Sequence, residues 1–309
     1  YSGGSFSISR NERYAFTFGN VYNPSDLGVG RSGSMQRLTN LNENLFELKK
    51  LGEVNEIKYK SSYDNLDIQG WIVTPPNFDP KNKYPLILEI HGGPFSNYGF
   101  RFSTEIQLYA SKGYVVLYLN PRGSTSYGKK FANEIHHNYP NHDYDDLISG
   151  VNYIIDKGFI DEKNLFVTGG SGGGVLSSWI VGKTDIFSAA VVAKPVINWY
   201  SFVLYADNTS IYYKYWFKNF PWKEPEDYMK RSPISYVGNV KTPTMLLTGE
   251  KDYRTPISES EQFYTALKLN RIETMLVRIP NSSHSIASRP SNLIAKVNSV
   301  LYWFDKFRK

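Results

Sequence analysis

The residues best suited to chemistry lie in one ten-residue stretch, Leu165-Phe166-Val167-Thr168-Gly169-Gly170-Ser171-Gly172-Gly173-Gly174. An apolar run of strand character passes directly into G-x-S-x-G and then into a helical stretch. That context is what a nucleophile on a strand-to-helix turn requires. Such a turn forces the serine into a strained backbone geometry, and small residues on both sides let strand and helix approach closely. A flexible glycine loop is the plain alternative; the strand before and the helix after favour a nucleophile.

A serine hydroxyl attacks a carbonyl only when a base removes its proton. The chain has five histidines, His91, His136, His137, His142 and His284. In hydrolases with this turn the order along the chain is serine, acid, histidine. His284 alone follows Ser171, in the polar loop Pro280-Asn281-Ser282-Ser283-His284. The acid is expected after the strand before that loop, in Thr248-Gly249-Glu250-Lys251-Asp252-Tyr253-Arg254. Asp252 is taken as the acid that fixes the imidazole tautomer, with Glu250 as the rival. Two N–H donors must hold the oxyanion. Gly172, directly after the nucleophile, is one. Gly93, in His91-Gly92-Gly93-Pro94 after the apolar run Leu86–Ile90, is the other. Trp199 and Phe202 follow a strand beside the turn and are expected to line the pocket for the side chain before the scissile bond; an aromatic core under a lid is the alternative.

These residues need a scaffold of alternating strands and helices. Glu53–Lys60 and Leu66–Thr74 read as a strand pair. Pro85–Ile90, Tyr114–Leu119, Leu165–Val167, Ala189–Ala193, Thr244–Leu247 and Thr274–Ile279 read as short buried strands. Helices are expected over Arg101–Lys112, Asp143–Lys157 and Ile257–Leu269. A closing helix carries the stripe Leu293, Ile294, Val297, Val300, Leu301 and Phe304. Strand–helix alternation implies a doubly wound, mostly parallel sheet. An aromatic-rich insertion over residues 195–240 interrupts it. The first fifty residues differ: Phe6–Ser9 and Tyr14–Phe18 read as a β-hairpin, followed by a Gly-, Ser- and Asn-rich stretch. One hairpin cannot bury its own face, so this segment is expected to pack on something else. The division is therefore 1–50, then a catalytic domain over 51–309.

Composition narrows the function further. The chain has 309 residues, 41% of them hydrophobic and 21% charged, values ordinary for a globular protein. It has no cysteine, which excludes disulfides, a cysteine nucleophile and thiolate metal sites. The net charge of +6 is scattered, as on a solvated surface, so neither nucleic acid nor a membrane is an expected partner. No apolar run is long enough to span a bilayer. The chain opens on Tyr1-Ser2-Gly3-Gly4 with no initiator methionine, so a longer protein is expected. The compartment, cytoplasmic or exported, is left open, and a homo-oligomer is compatible with the sequence.

At these motifs the chain resembles the prolyl oligopeptidase family of serine peptidases, in particular its acylaminoacyl-peptidase and dipeptidyl-peptidase-like branch. The resemblance rests on HGGP (His91–Pro94), NPRGS (Asn120–Ser124) with Tyr127-Gly128 after it, and DYDDL (Asp143–Leu147). It continues in GGSxGG (Gly169–Gly174), RSP (Arg231–Pro233), GExDxRTP (Gly249–Pro256) and RPSN (Arg289–Asn292), and runs from about Glu53 to the C-terminus. It implies an α/β-hydrolase fold and the triad Ser171, Asp252 and His284. The implied substrates are short peptides, cleaved through an acyl-enzyme and without a cofactor to release acyl-amino acids or dipeptides from the N-terminus. A carboxylesterase on the same triad and a non-catalytic binding module are the alternatives. The resemblance also implies a β-propeller ahead of the hydrolase. Residues 5–39, with Ser7-Ile8-Ser9, Tyr14-Ala15-Phe16, Pro24–Leu27 and Arg37–Thr39, resemble its last blade, and the rest of the propeller is expected to be missing from this chain. The chain departs from relatives at Gly172, where they carry a bulkier residue, which implies a backbone that accepts a Cβ. It departs also at Ser285, where they carry glycine. Some relatives have a tyrosine at the position of His91 and donate its hydroxyl to the oxyanion, a role that does not transfer.

Overall fold

The computed structural model describes residues 4–309; the opening Tyr1-Ser2-Gly3 lies outside the described residues. Two sheets form. The first is an antiparallel meander of β1 (Phe6–Ile8), β2 (Tyr14–Phe18), β3 (Asp26–Arg31) and β4 (Ser34–Arg37), in that order. The expected hairpin is thus half of a four-stranded unit. The second pair was hidden in the glycine-rich stretch, because Gly28 and Gly30 lie under the rings of Phe16 and Tyr14, where a Cβ would collide with them. The unit is closed by buried Asp26, which pairs with Arg37 and accepts hydrogen bonds from Thr39 Oγ1 (2.8 Å) and the Leu41 N–H (3.0 Å).

The second sheet has eight strands, β5 (Val54–Lys60), β6 (Asp67–Val73), β7 (Tyr84–Ile90), β8 (Val115–Asn120), β9 (Ile160–Gly170), β10 (Ala189–Ala193), β11 (Thr244–Gly249) and β12 (Thr274–Ile279). Their spatial order is β12-β11-β10-β9-β7-β8-β6-β5. The pairs from β8 to β12 are parallel, and β6 runs antiparallel to both β5 and β8. This is the doubly wound, mostly parallel sheet of an α/β-hydrolase.

Both faces of the sheet are covered, which is why its strands read as continuous apolar runs. Leu86, Leu88 and Ile90 of β7 face one layer; there the helices Asp143–Ile155, Gly172–Val181 and Ile257–Leu269 bury Leu147, Val151, Val175, Ile180, Phe263 and Leu267. Ile87 of β7, Val116 and Tyr118 of β8 and Phe166 of β9 face the other, under the helices Thr104–Ser111 and Pro290–Lys306. The closing helix uses Val297, Val300, Leu301 and Phe304 as expected, while Ile294 turns outward at 58% exposure.

Two of the motif segments meet inside this frame. Buried Arg122 donates from Nε and Nη2 to the two carboxylate oxygens of Asp146, each at 2.9 Å, and from its own backbone N–H at 2.8 Å. It also reaches both oxygens of Asp64. A forked guanidinium satisfied on both sides fastens the loop after β8 to the helix Asp143–Ile155. Among the described residues no helix is long and apolar enough to cross a membrane.

Candidate active site

The sites of parallel α/β sheets lie beyond the carboxyl ends of the strands, and the expected residues gather there. Ser171 follows β9 and heads the helix Gly172–Val181 with φ +60° and ψ −118°, a left-handed region costly for a residue with a Cβ. Hydrogen bonds on both sides hold it. Its N–H donates to Ala193 O (3.1 Å), and its carbonyl accepts the first helical bond from Val175 N (2.9 Å). At Gly173 a Cβ would lie 2.1 Å from Ile90 O, so only glycine lets this turn dock onto β7.

His284 stands in the loop between β12 and the helix Pro290–Lys306. Its Nδ1–H donates to Asp252 Oδ2 at 2.8 Å. Asp252, 2% exposed, is fully satisfied. Oδ1 accepts the N–H groups of Arg254 (3.0 Å) and Thr255 (2.9 Å), and Oδ2 accepts Thr255 Oγ1 (3.1 Å). A carboxylate anchored by two backbone N–H groups holds the imidazole in the tautomer whose Nε2 is a proton acceptor. The rival, Glu250, points away and pairs with Arg278 at 3.3 Å on the surface. Ser171 and His284 line one cleft of about 430 Å³, together with Gly92 and Gly93.

Gly93 has φ +118° and lies against Gly172. A Cβ on Gly172 would stand 3.1 Å from Gly93 C, Gly93 N and Pro94 N. The two expected oxyanion donors therefore belong to touching peptide segments, and a Cβ at Gly172 would fit only if the Gly93-Pro94 segment gave way by a few tenths of an ångström. The loop bearing Gly93 is pinned through His91, whose Nδ1 contacts Gly92 O (2.7 Å) and whose Nε2 contacts Ser124 Oγ (3.0 Å). Burial pulls the His91 pKa down, against the opposing pull of the Gly92 carbonyl. The ring carries a proton on Nδ1, since a carbonyl can only accept, and its Nε2 lies 3.0 Å from the Ser124 Oγ, whose own hydroxyl donates to Pro121 O at 2.7 Å. On the far side buried Tyr139 donates its hydroxyl to Gly172 O (2.9 Å).

Trp199 and Phe202, expected at the pocket surface, are 2% and 1% exposed and do not border the cleft. The reason is local. The side chain of Asn198 caps the helix Trp199–Tyr205, and the Trp199 indole N–H is tied to Arg231 O at 3.0 Å, which draws both rings into the core. They back an aromatic wall in which Trp199 meets Tyr139 (6.1 Å between centroids), Tyr139 meets Trp216 (5.5 Å) and Trp216 stacks on Phe95 (5.2 Å). Phe95, 40% exposed, is the ring that reaches solvent.

Several residues at the site were not anticipated. Lys194, at φ +41° just after β10, donates from Nζ to the carbonyl of His284 at 2.6 Å. Burial, reinforced by Lys296 and opposed by Asp252 and Glu105, pulls its pKa down to about 8. Glu89 of β7 also lines the cleft. Burial, with the Glu105 charge adding and Lys296 opposing, pushes its carboxyl up to about 8. Glu89 had a sequence signal, a single carboxylate inside Leu86-Ile87-Leu88-Glu89-Ile90; Lys194 had none.

The comparisons with known proteins agree with this architecture. The family model for the prolyl oligopeptidase family matches residues 100–309. An uncharacterized peptidase of Bacillus subtilis, YuxL, is 38% identical over 98% of this chain, which spans 47% of that relative. A probable dipeptidyl-peptidase 5 of Aspergillus clavatus is 30% identical over 93% of the chain, which spans 40% of it. The solved acylaminoacyl peptidase of Pyrococcus horikoshii superposes with a TM-score of 0.93 at 28% identity, covering 100% of this chain and 50% of its own. The chain thus spans about half the length, or less, of the relatives it matches. With a strained serine, an aspartate–histidine pair and a glycine loop in the order and places that such a fold demands, the chain belongs to the prolyl oligopeptidase family.

Proposed function

We propose that the protein is a serine peptidase acting on short peptides and releasing acyl-amino acids or dipeptides from the N-terminus. The observation that carries this is the 2.8 Å bond from His284 to a buried, fully satisfied Asp252, in a cleft that His284 shares with a strained Ser171. In this reading His284 Nε2 takes the hydroxyl proton of Ser171 as Oγ bonds to the substrate carbonyl carbon. The N–H groups of Gly93 and Gly172 hold the oxyanion. Collapse breaks the C–N bond, and the proton passes from His284 to the leaving amine. Water, deprotonated by the same imidazole, then hydrolyses the acyl ester and restores Ser171, while Asp252 stays ionised throughout. No cofactor takes part.

The names of the relatives, an acylaminoacyl peptidase and a probable dipeptidyl-peptidase, support the amino-terminal product. The wall from Phe95 to Tyr139, backed by Trp199 and Phe202, supports an apolar side chain before the scissile bond. The four-stranded sheet β1–β4 suits a last propeller blade, in keeping with a division near residue 50. Phe6, Ile8 and Met35 are 74%, 65% and 60% exposed on it, apolar surface that a neighbouring blade would cover.

Mass spectrometry of products from N-acetylated and free-N-terminus peptides tests this reading. Release of acetyl-amino acids or dipeptides is expected. Turnover of esters alone would replace the peptidase with a carboxylesterase.

A further inference from the structure

The cleft at Ser171 extends beyond the triad, along the helices Thr104–Ser111 and Pro290–Lys306, to a polar group that the proposed chemistry does not use. Lys194, Lys296, Glu89 and Tyr118 line this part. Lys296 Nζ pairs with Glu105 Oε1 at 2.5 Å, and Glu105 also accepts the Tyr109 hydroxyl at 2.7 Å. Lys194 spends one of its three N–H bonds on the carbonyl of His284. Glu89 is 8% exposed and its Oε2 has no hydrogen-bond partner among the described residues. A buried carboxyl oxygen left without a partner at a cleft wall marks a place where a ligand completes the hydrogen bonding.

We infer that this part of the cleft is a subsite for the terminal carboxylate of a short leaving group, held by the ammonium groups of Lys194 and Lys296. The inference rests on the peptidase reading and names the leaving side of its substrate. The leaving nitrogen must lie at His284, because that imidazole returns the proton to it. Lys194 is bonded to the backbone carbonyl of that same residue and lines the same cleft, so a cation stands on the wall beside the histidine that meets the leaving nitrogen. One extended residue covers about 3.3–3.6 Å, so a leaving group of one or two residues brings its C-terminus into the cleft beyond His284.

The charges select the sign of the ligand. Three cations, Lys194, Lys296 and Arg101, line the cleft, and the ionised carboxylates acting on Lys194 are Glu105, which pairs with Lys296, and Asp252, whose oxygens already accept from its own loop and from His284. Burial keeps Glu89 protonated at neutral pH, its pKa pushed up to about 8, so it can donate to an anion. A substrate amine would meet like charges here, at a cost that partial burial raises. Phe95, Tyr139, Trp199 and Trp216 of the aromatic wall are not among the residues lining this cleft, which leaves the acyl side chain and the leaving carboxylate separate places.

The test compares kcat/KM of the intact protein for N-acetyl-Phe-Ala and for its C-terminal amide. N-acetyl-Phe p-nitroanilide serves as a substrate whose leaving group has no carboxylate. The acid should be preferred over the amide by about tenfold, the range of one charge-assisted hydrogen bond. Lys296→Met should bring the acid-to-amide ratio near one, and Lys296→Arg should keep it. The ratio is the readout, and the anilide rate reports any general damage to the site. If Lys296→Met fails to fold, alanine and alaninamide as inhibitors of the unaltered protein decide instead: alanine should bind more tightly by the same factor. Equal rates for acid and amide, a preference for the amide, a ratio unmoved by Lys296→Met, or equal inhibition would each overturn the subsite while leaving the peptidase reading intact. Turnover of none of the three substrates would overturn that reading and the subsite with it.

Discussion

Replacing Gly172 by alanine adds one methyl group at the most constrained point of the proposed oxyanion hole. The Cβ would stand 3.1 Å from three backbone atoms, Gly93 C, Gly93 N and Pro94 N. Carbon contacts are favourable from about 3.5 Å, so the loop must retreat by about 0.3–0.6 Å. No side chain can rotate away to absorb this, because every atom met is backbone. The loop is held besides by His91 through Gly92 and Ser124. The displaced group includes the Gly93 N–H, one of the two proposed donors. A misplacement of about 1 Å costs about a hundredfold; scaled to the expected shift, kcat should fall by about fourfold to fifteenfold, or about 0.8–1.6 kcal/mol in barrier. The measurement is kcat on an acyl anilide, with the melting temperature to confirm folding. Wild-type kcat in a folded Gly172→Ala protein would refute the reasoning, since it would mean that the Gly93 peptide moves without consequence or is not a donor.

Asp252→Asn should lower kcat by about 10⁴ by favouring the wrong tautomer of His284, whereas Glu250→Gln, whose carboxylate only meets Arg278 on the surface, should change it less than about twofold; the reverse order would make Glu250 the acid. Arg122→Met leaves Asp146 buried without its cation and should cost about 3–5 kcal/mol in a denaturant titration, with an unchanged midpoint as the contrary result. Burial pushes the Asp143 carboxyl up to about 7, far above its ordinary 3.8, so the folded chain holds a proton that the unfolded chain releases. The stability tied to that proton is complete below about pH 3.8 and is lost as pH rises through about 7; melting temperature should decline across that window, and Asp143→Asn should flatten the decline.

The scaffold was legible where burial imposes a period. Ala189–Ala193, Ile257–Leu269 and Thr274–Ile279 form the expected elements at the expected ends, because strands covered on both faces and two-sided helices leave strong apolar patterns. β3 and β4 were not legible, since Gly28 and Gly30 serve neighbouring rings and look like a loop. The structure bonds His284 to Asp252 and sets Ser171 and His284 on one cleft, from segments far apart in sequence, and these residues were picked out by their order along the chain. Trp199 and Phe202 were expected at the pocket from their position after a strand beside the turn, and position does not tell an aromatic in the core from one at a pocket surface; the tie from Trp199 to a carbonyl at Arg231 decides it. Lys194 was illegible for a different reason: its partner is the backbone carbonyl of His284, which any residue would provide.

We propose that Ser171 is a nucleophile activated by His284 and Asp252. Treating the protein with a fluorophosphonate and locating the adduct by peptide mass spectrometry reads out that activation. One adduct is expected, on Ser171, formed rapidly in the unaltered protein, strongly slowed in His284→Ala and absent in Ser171→Ala. Labelling at another residue, or equal labelling of Ser171 with and without His284, would contradict it.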